Sequence, residues 1–342
     1  MKSQFVLYSC LALGTIMNMH SHPQAATAPM LKHAYADVNG VRLHYVSAGD
    51  PKKPLVLFVH GFPEFWYEWK NQLAEFGRDH CAVAVDMRGY NLSSKPEKVE
   101  DYEVKHLVED LRALAGKLMS VNPSTSLRTG DRPTKDRKFV LVGHDWGGAV
   151  AWAFAMKHPD LLEKLVIINA PHPGVFMREL KENPQQQKAS QYMLLFRSPI
   201  AEATLSANNY AALVNAILGE GLKQGYFTEE DKKVYLDAWS QPGALTGGLN
   251  YYRAAKVGPP TAADSSVGSF DVDAAMTVRV STLVIWGEKD TALLTGNLNG
   301  LDKFVSALTI KRIPEGSHWV IHEKPTLINA MIREFIGARG KR

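Results

Sequence analysis

Short, continuous runs of apolar residues alternate along most of the chain with longer segments in which apolar positions recur every three or four residues. Continuous runs predict strands buried on both faces, and the wider spacing predicts amphipathic helices. The predicted strands are Leu55 to Val59, Cys81 to Val85, Phe139 to Val142, Leu165 to Ile168, Thr282 to Trp286 and Ala307 to Ile313. This alternation indicates an α/β fold with a mostly parallel central sheet flanked by helices.

Two regions interrupt the alternation. Between Asn169 and Thr282 the patterns are helical, which predicts a helical lid over residues 171–276, inserted into a core formed by residues 32–170 and 277–338. Residues 120–138 are polar, basic and rich in turn formers, so we expect an exposed loop insertion there. Ahead of the parallel strands, residues 32–48 predict two alternating strands joined at Asn39-Gly40, a two-residue hairpin signal.

The first residues have the pattern of an export signal. Lys2 precedes an apolar run from Phe5 to Met17, and the small residues Ala26-Thr27-Ala28 follow a polar stretch. We therefore expect residues 1–28 to be a signal peptide or N-terminal anchor and the protein to be exported or membrane-associated through it, with a cytoplasmic location as the alternative.

Composition excludes several functions. The 342 residues carry a formal net charge of +4, with basic and acidic residues scattered, so nothing favours nucleic acid as a partner. The two cysteines, Cys10 and Cys81, cannot form a disulfide framework. The oligomeric state does not follow from the sequence.

The segment Phe139 to Val150 predicts a strand, a sharp turn and a helix, with Asp145 at the turn. Gly143 and Gly147 flank it in the G-x-nucleophile-x-G spacing of a nucleophile elbow, where serine is the usual central residue. A carboxylate suits displacement at a saturated carbon, which forms an alkyl-enzyme ester, better than acyl transfer. We therefore predict that Asp145 is a nucleophile.

Hydrolysis of such an ester needs a base and donors for the oxyanion. His318, just beyond the last predicted strand, is the candidate general base, and either Asp290 or Glu288 could orient its ring. The backbone N–H groups of Trp146 and Phe62 are the expected oxyanion hole.

Several motifs occur together and in a fixed order: HGFPEFWYEW at 60–69, DMRGY at 86–90, GHDWGG at 143–148, SQPGALTGGLNYYR at 240–253, GEKD at 287–290 and GSHW at 316–319. Over residues 32–336 the chain resembles an α/β-hydrolase of the epoxide hydrolase group. The resemblance implies the α/β-hydrolase fold, a hydrolase acting on ether bonds that converts an epoxide to a vicinal diol, and Asp290 as the residue that orients His318. It also implies two lid tyrosines that donate protons to the epoxide oxygen, and Tyr192 and Tyr252 match them.

Other functions remain open. A haloalkane or haloacid dehalogenase would use the same Asp145, His318 and Asp290, although Phe62 stands where haloalkane dehalogenases commonly place an asparagine. A binding protein that keeps the fold without turnover is a third possibility.

We expect an apolar pocket that takes a lipophilic epoxide and water. The pocket candidates are His60, Pro63, Trp66 and Phe176. His60 could instead hold its loop, and Trp66 could belong to a helix core. We expect no cofactor and no metal: His318 and His322 have the spacing of a metal pair, but no third ligand is near in sequence, and we expect His322 to be a surface residue at a helix start.

Overall fold

The structure is a computed structural model that describes residues 30–120, 137–268 and 276–337. The predicted signal segment, residues 1–28, lies outside these ranges, as does most of the predicted insertion at residues 120–138. Both stay predictions.

A sheet of eight strands forms the centre of the molecule, in the order β1-β2-β4-β3-β5-β6-β7-β8. Its strands are β1 (Lys32–Val38), β2 (Val41–Ala48), β3 (Leu55–Val59), β4 (Cys81–Val85), β5 (Phe139–His144), β6 (Leu162–Ile168), β7 (Thr282–Gly287) and β8 (Leu308–Ile313). β2 runs antiparallel to β1 and β4, and all other neighbours are parallel. The predicted strands and the mostly parallel sheet are therefore confirmed.

Burial along the strands follows their position in the sheet. β3, β4, β5 and β7 are buried at every residue, as their continuous apolar runs predict, whereas the edge strand β1 alternates between exposed and partly buried positions. β1 and β2 form the predicted hairpin, with Asn39 and Gly40 at φ of 46° and 78°.

Helices cover both faces of the sheet. The core helices are α1 (Lys70–Phe76), α2 (Val104–Ser120), α3 (Asp145–Lys157), α11 (Val320–Glu323) and α12 (Pro325–Gly337). Before α1, Trp66–Trp69 form a 3₁₀ turn that leads directly into it.

Seven α-helices lie between β6 and β7 in the described residues, all within the range predicted for the lid. They are α4 (Pro173–Glu182), α5 (Pro184–Ala189), α6 (Tyr192–Arg197), α7 (Ala201–Leu213), α8 (Gly219–Gln224), α9 (Glu229–Trp239) and α10 (Ala244–Ala255). α7 is broken near its middle, since Asn208 and Asn209 adopt φ of 50° and 55°. Asparagine tolerates this left-handed conformation.

The seven helices α4 to α10, called the lid below, are attached to the loops that follow β3 and β4. The Trp239 indole N–H donates to the carbonyl oxygen of Pro63 at 2.7 Å, and the Tyr251 hydroxyl donates to the carbonyl oxygen of Arg88 at 2.8 Å. These loops lie at the carboxyl ends of parallel strands, the edge at which α/β proteins place their ligand sites. None of the helices in the described ranges is long and apolar enough to cross a membrane.

Candidate active site

Asp145 stands at the junction between β5 and α3, with φ of 46°. Such a conformation is unfavourable for a residue with a side chain, and it persists because the surrounding packing enforces it. A Cβ on Gly147 would lie 2.1 Å from the Val59 carbonyl oxygen, and one on Gly143 would lie 2.5 Å from the Gly147 carbonyl oxygen. Only glycine fits at both positions, so the turn requires the predicted spacing.

The Asp145 carboxylate points at the loop that follows β3. The Phe62 backbone N–H donates to Asp145 Oδ1 at 2.8 Å. Gly61 makes this approach possible, because a Cβ there would lie 2.4 Å from the Asp145 Cβ. Trp146 is the next residue of α3, and N–H groups of the first turn of a helix point toward its start. The Phe62 N–H thus contacts the carboxylate directly, and the role of the Trp146 N–H as the second oxyanion donor stays a prediction.

His318 lies between two carboxylates. Its Nε2 is 3.7 Å from Asp145 Oδ2, and its Nδ1 is 2.7 Å from Asp290 Oδ2. Burial lowers the pKa of His318, but the charge and hydrogen bond of Asp290 and the charge of Asp145 outweigh burial and raise it to about 9. The imidazolium is therefore the favoured form while Asp145 is charged.

Asp290 is buried and fully hydrogen-bonded. Its Oδ1 accepts the backbone N–H groups of Ala292 and Leu293 at 2.9 Å, and its Oδ2 accepts the Asn169 side-chain amide at 2.8 Å. Burial would raise the pKa of Asp290, but the charge and hydrogen bond of His318 outweigh it and lower the pKa. Glu288, the other candidate, pairs with Arg312 at 2.9 Å instead.

Asn169 was not predicted as a site residue. It lies directly after β6, has φ of 39°, and also accepts the Gly287 backbone N–H at 2.8 Å. It therefore ties the end of β6 to the loop that carries Asp290. Its place at the carboxyl end of a predicted buried strand is the signal that could have drawn attention to it.

Tyr192 and Tyr252 come from different lid helices, α6 and α10, and their ring centroids are 6.4 Å apart. Both line the same cavity as Asp145 and His318. Burial, reinforced by the charge of Asp145, raises the pKa of both hydroxyls well above the ordinary tyrosine value. Both hydroxyls are therefore protonated at neutral pH and able to donate. Tyr251 uses its hydroxyl on Arg88 and does not line this cavity.

The cavity above Asp145 has a volume of about 380 Å³ and a mostly apolar lining. Its lining residues are Phe62, Pro63, Asp145, Tyr192, Phe196, Leu213, Ala216, Ile217, Tyr252, Thr291, Ala292, His318 and Trp319. A second, much smaller space of about 30 Å³ also touches Asp145 and Tyr252 and is lined by Trp146, Phe176 and Met193 among others. Pro63 and Phe176 are thus at the cavities, as expected.

His60 and Trp66 do not line these two spaces, in contrast to the pocket predicted from the sequence. His60 is buried and joins two loops: its Nδ1 donates to the Gly61 carbonyl oxygen at 2.8 Å, and its Nε2 accepts the Met87 N–H at 3.0 Å. Trp66 packs its ring edge-on against His33. His60 therefore supports the loops around the site, Trp66 packs against β1, and neither side chain lines these cavities.

The expectation that His322 is a surface residue is wrong. His322 is 4% exposed, and its Nε2 lies 3.0 Å from Glu64 Oε1. The periodicity around α11 did not reveal this burial, because its partner lies far away in the chain on the loop after β3. No group of three histidine, cysteine or acidic side chains that could hold a metal occurs in the described ranges.

A strand-turn-helix elbow, a histidine beyond the last strand and an acid after β7 define a hydrolase of the α/β type. The α/β-hydrolase fold family model matches residues 54–325, and the chain belongs to that family.

Its relatives include several proteins named as epoxide hydrolases. The chain is 36% identical over 313 residues to "Epoxide hydrolase 3" of Xenopus tropicalis, which covers 89% of this chain and 78% of that protein. It is 37% identical over 308 residues to an AB hydrolase superfamily protein of Bacillus subtilis, which covers 90% of this chain and 98% of the relative.

A solved structure of a mutant epoxide hydrolase from Bacillus megaterium, complexed with its product (R)-3-[1]naphthyloxy-propane-1,2-diol, is 35% identical to this chain. It superposes with a TM-score of 0.77 and covers 89% of this chain and all of the other. The resemblance and fold class predicted from the sequence are thereby confirmed.

Proposed function

We propose that this protein is an epoxide hydrolase that converts a lipophilic epoxide to a vicinal diol through an ester on Asp145. The observation that carries the proposal is the placement of two protonated tyrosine hydroxyls, Tyr192 and Tyr252, in the cavity that also contains Asp145 and His318. An epoxide oxygen leaves as a basic alkoxide, so ring opening needs a proton donor, which a halide does not. The relatives named as epoxide hydrolases support the same conclusion.

In the first step a carboxylate oxygen of Asp145 attacks an epoxide carbon and the carbon–oxygen bond breaks. Tyr192 or Tyr252 donates its proton to the ring oxygen, which becomes the first hydroxyl group of the diol. The product of this step is an alkyl-enzyme ester on Asp145.

In the second step His318 takes a proton from water, and the water oxygen attacks the ester carbonyl carbon. The resulting oxyanion is stabilised by the backbone N–H groups of Phe62 and Trp146. Collapse of the tetrahedral intermediate releases the diol and restores the Asp145 carboxylate, and His318 is again the imidazolium of the resting enzyme.

Esterification prepares His318 for this role. The charge of Asp145 is one of the contributions that raise the pKa of His318 to about 9, and the ester has no charge. The pKa of His318 therefore falls when the intermediate forms, so its proton passes to the tyrosinate left by ring opening and His318 becomes the neutral imidazole that a base must be.

The apolar lining of the cavity supports a lipophilic substrate. The relative from Bacillus megaterium was solved with an aryloxy-propanediol as its product, which is consistent with a substrate of this kind.

The proposal is tested by a single turnover with enzyme in excess over an aryloxy or styrene-type epoxide in ¹⁸O-labelled water. The first diol should carry unlabelled oxygen from Asp145, and later turnovers should carry label. Label in the first-turnover diol would exclude the ester route. A parallel assay on chloroalkanes with detection of free halide should be negative, and halide release without diol formation would identify a dehalogenase.

A further inference from the structure

Two glutamates, Glu64 and Glu68, are completely buried beneath the active site, and their surroundings differ. Glu64 accepts two hydrogen bonds, one from the Tyr235 hydroxyl at 2.6 Å and one from His322 Nε2 at 3.0 Å. Two donors stabilise a carboxylate, so Glu64 is the charged member of the pair.

Glu68 has few donors. Its Oε2 accepts the Gly61 N–H at a long 3.4 Å, and its Oε1 lies against His144 Nδ1. Neither Glu68 Oε1 nor His144 Nδ1 has another hydrogen-bonding partner in the part of the chain that the structure describes. The two atoms can satisfy each other only if one hydrogen lies between them, and the question is which group supplies it.

The partner of the other His144 nitrogen, Nε2, limits the possible protonation states of the ring. His144 Nε2 is 3.0 Å from the carbonyl oxygen of His318, and a carbonyl oxygen only accepts, so Nε2 carries a hydrogen. His144 is then either a neutral ring with a lone pair at Nδ1 or a cation.

A cation is unfavourable at this position. The His144 ring is 1% exposed, and its centroid is 4.7 Å from that of His318, which is itself positively charged in the resting enzyme. Burial and the charge of His318 lower the pKa of His144 to about 3. His144 is therefore neutral, and its Nδ1 is an acceptor that needs a donor.

The charges that face Glu68 favour its protonated form. Glu64 and Asp145 are carboxylates, and two like charges in a buried space oppose each other's ionisation. Burial, Glu64 and Asp145 together raise the pKa of Glu68 well above the ordinary value and outweigh the opposing effects of His322 and the Gly61 hydrogen bond.

We propose that Glu68 is an un-ionised carboxylic acid that donates its hydrogen to His144 Nδ1 and thereby positions the catalytic base. This hydrogen bond fixes the His144 tautomer, in which Nε2–H holds the backbone carbonyl of His318. Through Gly61, Glu68 also contacts the loop that supplies the Phe62 oxyanion donor. Glu68 is thus a positioning residue for ester hydrolysis, and the kinetic part of this inference rests on the proposed function.

The protonation state can be measured without substrate. The un-ionised carboxyl group should give a carbonyl stretching band in the infrared spectrum at neutral pH that disappears in Glu68→Gln. Glu64→Gln is the matched control: an ionised Glu64 does not contribute to that band, and burial, the largest cause of the raised Glu68 pKa, is unchanged, so the band should persist. If wild type lacks the band, or if Glu64→Gln removes it and Glu68→Gln does not, the assignment is overturned.

The positioning role is measured by following breakdown of the alkyl-enzyme in single turnovers. In Glu68→Gln the amide N–H replaces the acid as donor. The rate of alkyl-enzyme breakdown should therefore stay within about twofold of the wild-type rate at each pH. In Glu68→Leu the donor is lost and breakdown should slow by about tenfold, with little change in the rate of ester formation.

Equal slowing in Glu68→Gln and Glu68→Leu would mean that Glu68 acts as a charged group, and an unaffected Glu68→Leu would mean that it positions nothing; either result overturns the proposal. If no alkyl-enzyme forms in wild type, the proposed function fails, and the infrared comparison still decides the state of Glu68.

Discussion

The elbow at Asp145 and the lid around Tyr192 and Tyr252 specify their chemistry in different ways. At the elbow, a few consecutive residues hold the nucleophile: Gly143 and Gly147 allow backbone approaches that no side chain would permit. In the lid, two tyrosines from separate helices meet at a ring distance of 6.4 Å only because α6 and α10 pack over the same cavity. One site is local in sequence, and the other is created by tertiary packing.

This difference between the elbow and the lid separates the chemistry common to many substrates from the choice of leaving group. In the proposed mechanism the elbow, His318 and Asp290 form and hydrolyse an ester on Asp145 whatever group leaves. In the same mechanism the lid tyrosines select a leaving group that needs a proton. Changes at the elbow should therefore affect every substrate and both steps, whereas changes in the lid should affect ring opening alone.

The largest effect is expected for Asp145→Asn. Asparagine tolerates positive φ and keeps the size of the side chain, but its neutral amide is a much weaker nucleophile than the carboxylate. The turnover number should fall by about 10⁴-fold or more. Diol formation is measured by chromatography, with intact mass confirming that the asparagine persists; substantial turnover by a confirmed amide would contradict the role of Asp145.

His318→Gln should separate the two steps. Loss of the base should slow ester hydrolysis by about 10²- to 10⁴-fold, while ester formation continues. Mass spectrometry of the peptide containing Asp145 should show the mass of the substrate added after brief exposure. An unmodified peptide together with lost turnover would show that His318 is needed earlier than proposed.

The double variant Tyr192→Phe with Tyr252→Phe tests the proton donation that we propose for the lid. Without either proton donor, ring opening should slow by about 10²- to 10⁴-fold, and each single variant should lose less because the other hydroxyl remains. Stopped-flow measurement of ester formation monitors the step. Tyr251→Phe is the control, since its hydroxyl bonds Arg88 outside the cavity, and ring opening that survives in the double variant would point to another acid.

Gly147→Ala tests how strictly the elbow depends on close packing. A Cβ there would lie 2.1 Å from the Val59 carbonyl oxygen, so the variant should lose about 3 kcal/mol of stability or fail to fold. Gly116→Ala, in the exposed part of α2 with open space around it, should instead stabilise the protein by about 0.5–1 kcal/mol. Urea unfolding compares the two, and a stable Gly147→Ala would contradict the packing argument.

The last prediction concerns a pH dependence of stability due to His318. Its pKa is raised on folding to about 9, so its contribution is fully present below the unfolded value near 6.5 and is lost as the pH rises through 9. The free energy of unfolding of wild type, relative to that of His318→Gln, should therefore decline between pH 6.5 and 9. Urea titrations across that range measure it, and parallel curves for the two proteins would contradict the raised pKa.

Much of the core could be predicted because its signals are local. A buried parallel strand must be apolar on both faces, so Leu55–Val59 and Cys81–Val85 match their predicted bounds. The elbow and the order of Asp145, Asp290 and His318 are likewise visible in the sequence. The break in α7 was missed, because two asparagines in a helical pattern do not reveal by themselves which conformation the packing selects.

Residues that act through distant partners were harder to place. His322 and Asn169 gave weak signals, since burial of one and the hydrogen bonds of the other depend on segments far away in the chain. His60 and Trp66 were expected at the pocket because aromatic residues near a nucleophile loop often line one, yet His60 joins two neighbouring loops and Trp66 packs against His33 of β1.

By itself, the sequence determined the strands and the sharp turn that carries Asp145, because hydrophobic periodicity and glycine spacing act over a few residues. The family resemblance implied Asp290 and Tyr252, but only the tertiary structure shows their contacts: Asp290 meets His318 while Glu288 pairs with Arg312, and Tyr252 lines the cavity while Tyr251 binds Arg88. Only the tertiary structure shows that Glu64 and Glu68 share a buried space. These contacts join segments that are remote in the chain. They depend on distances between atoms in the folded protein, because charge–charge interactions and hydrogen bonds depend on those distances.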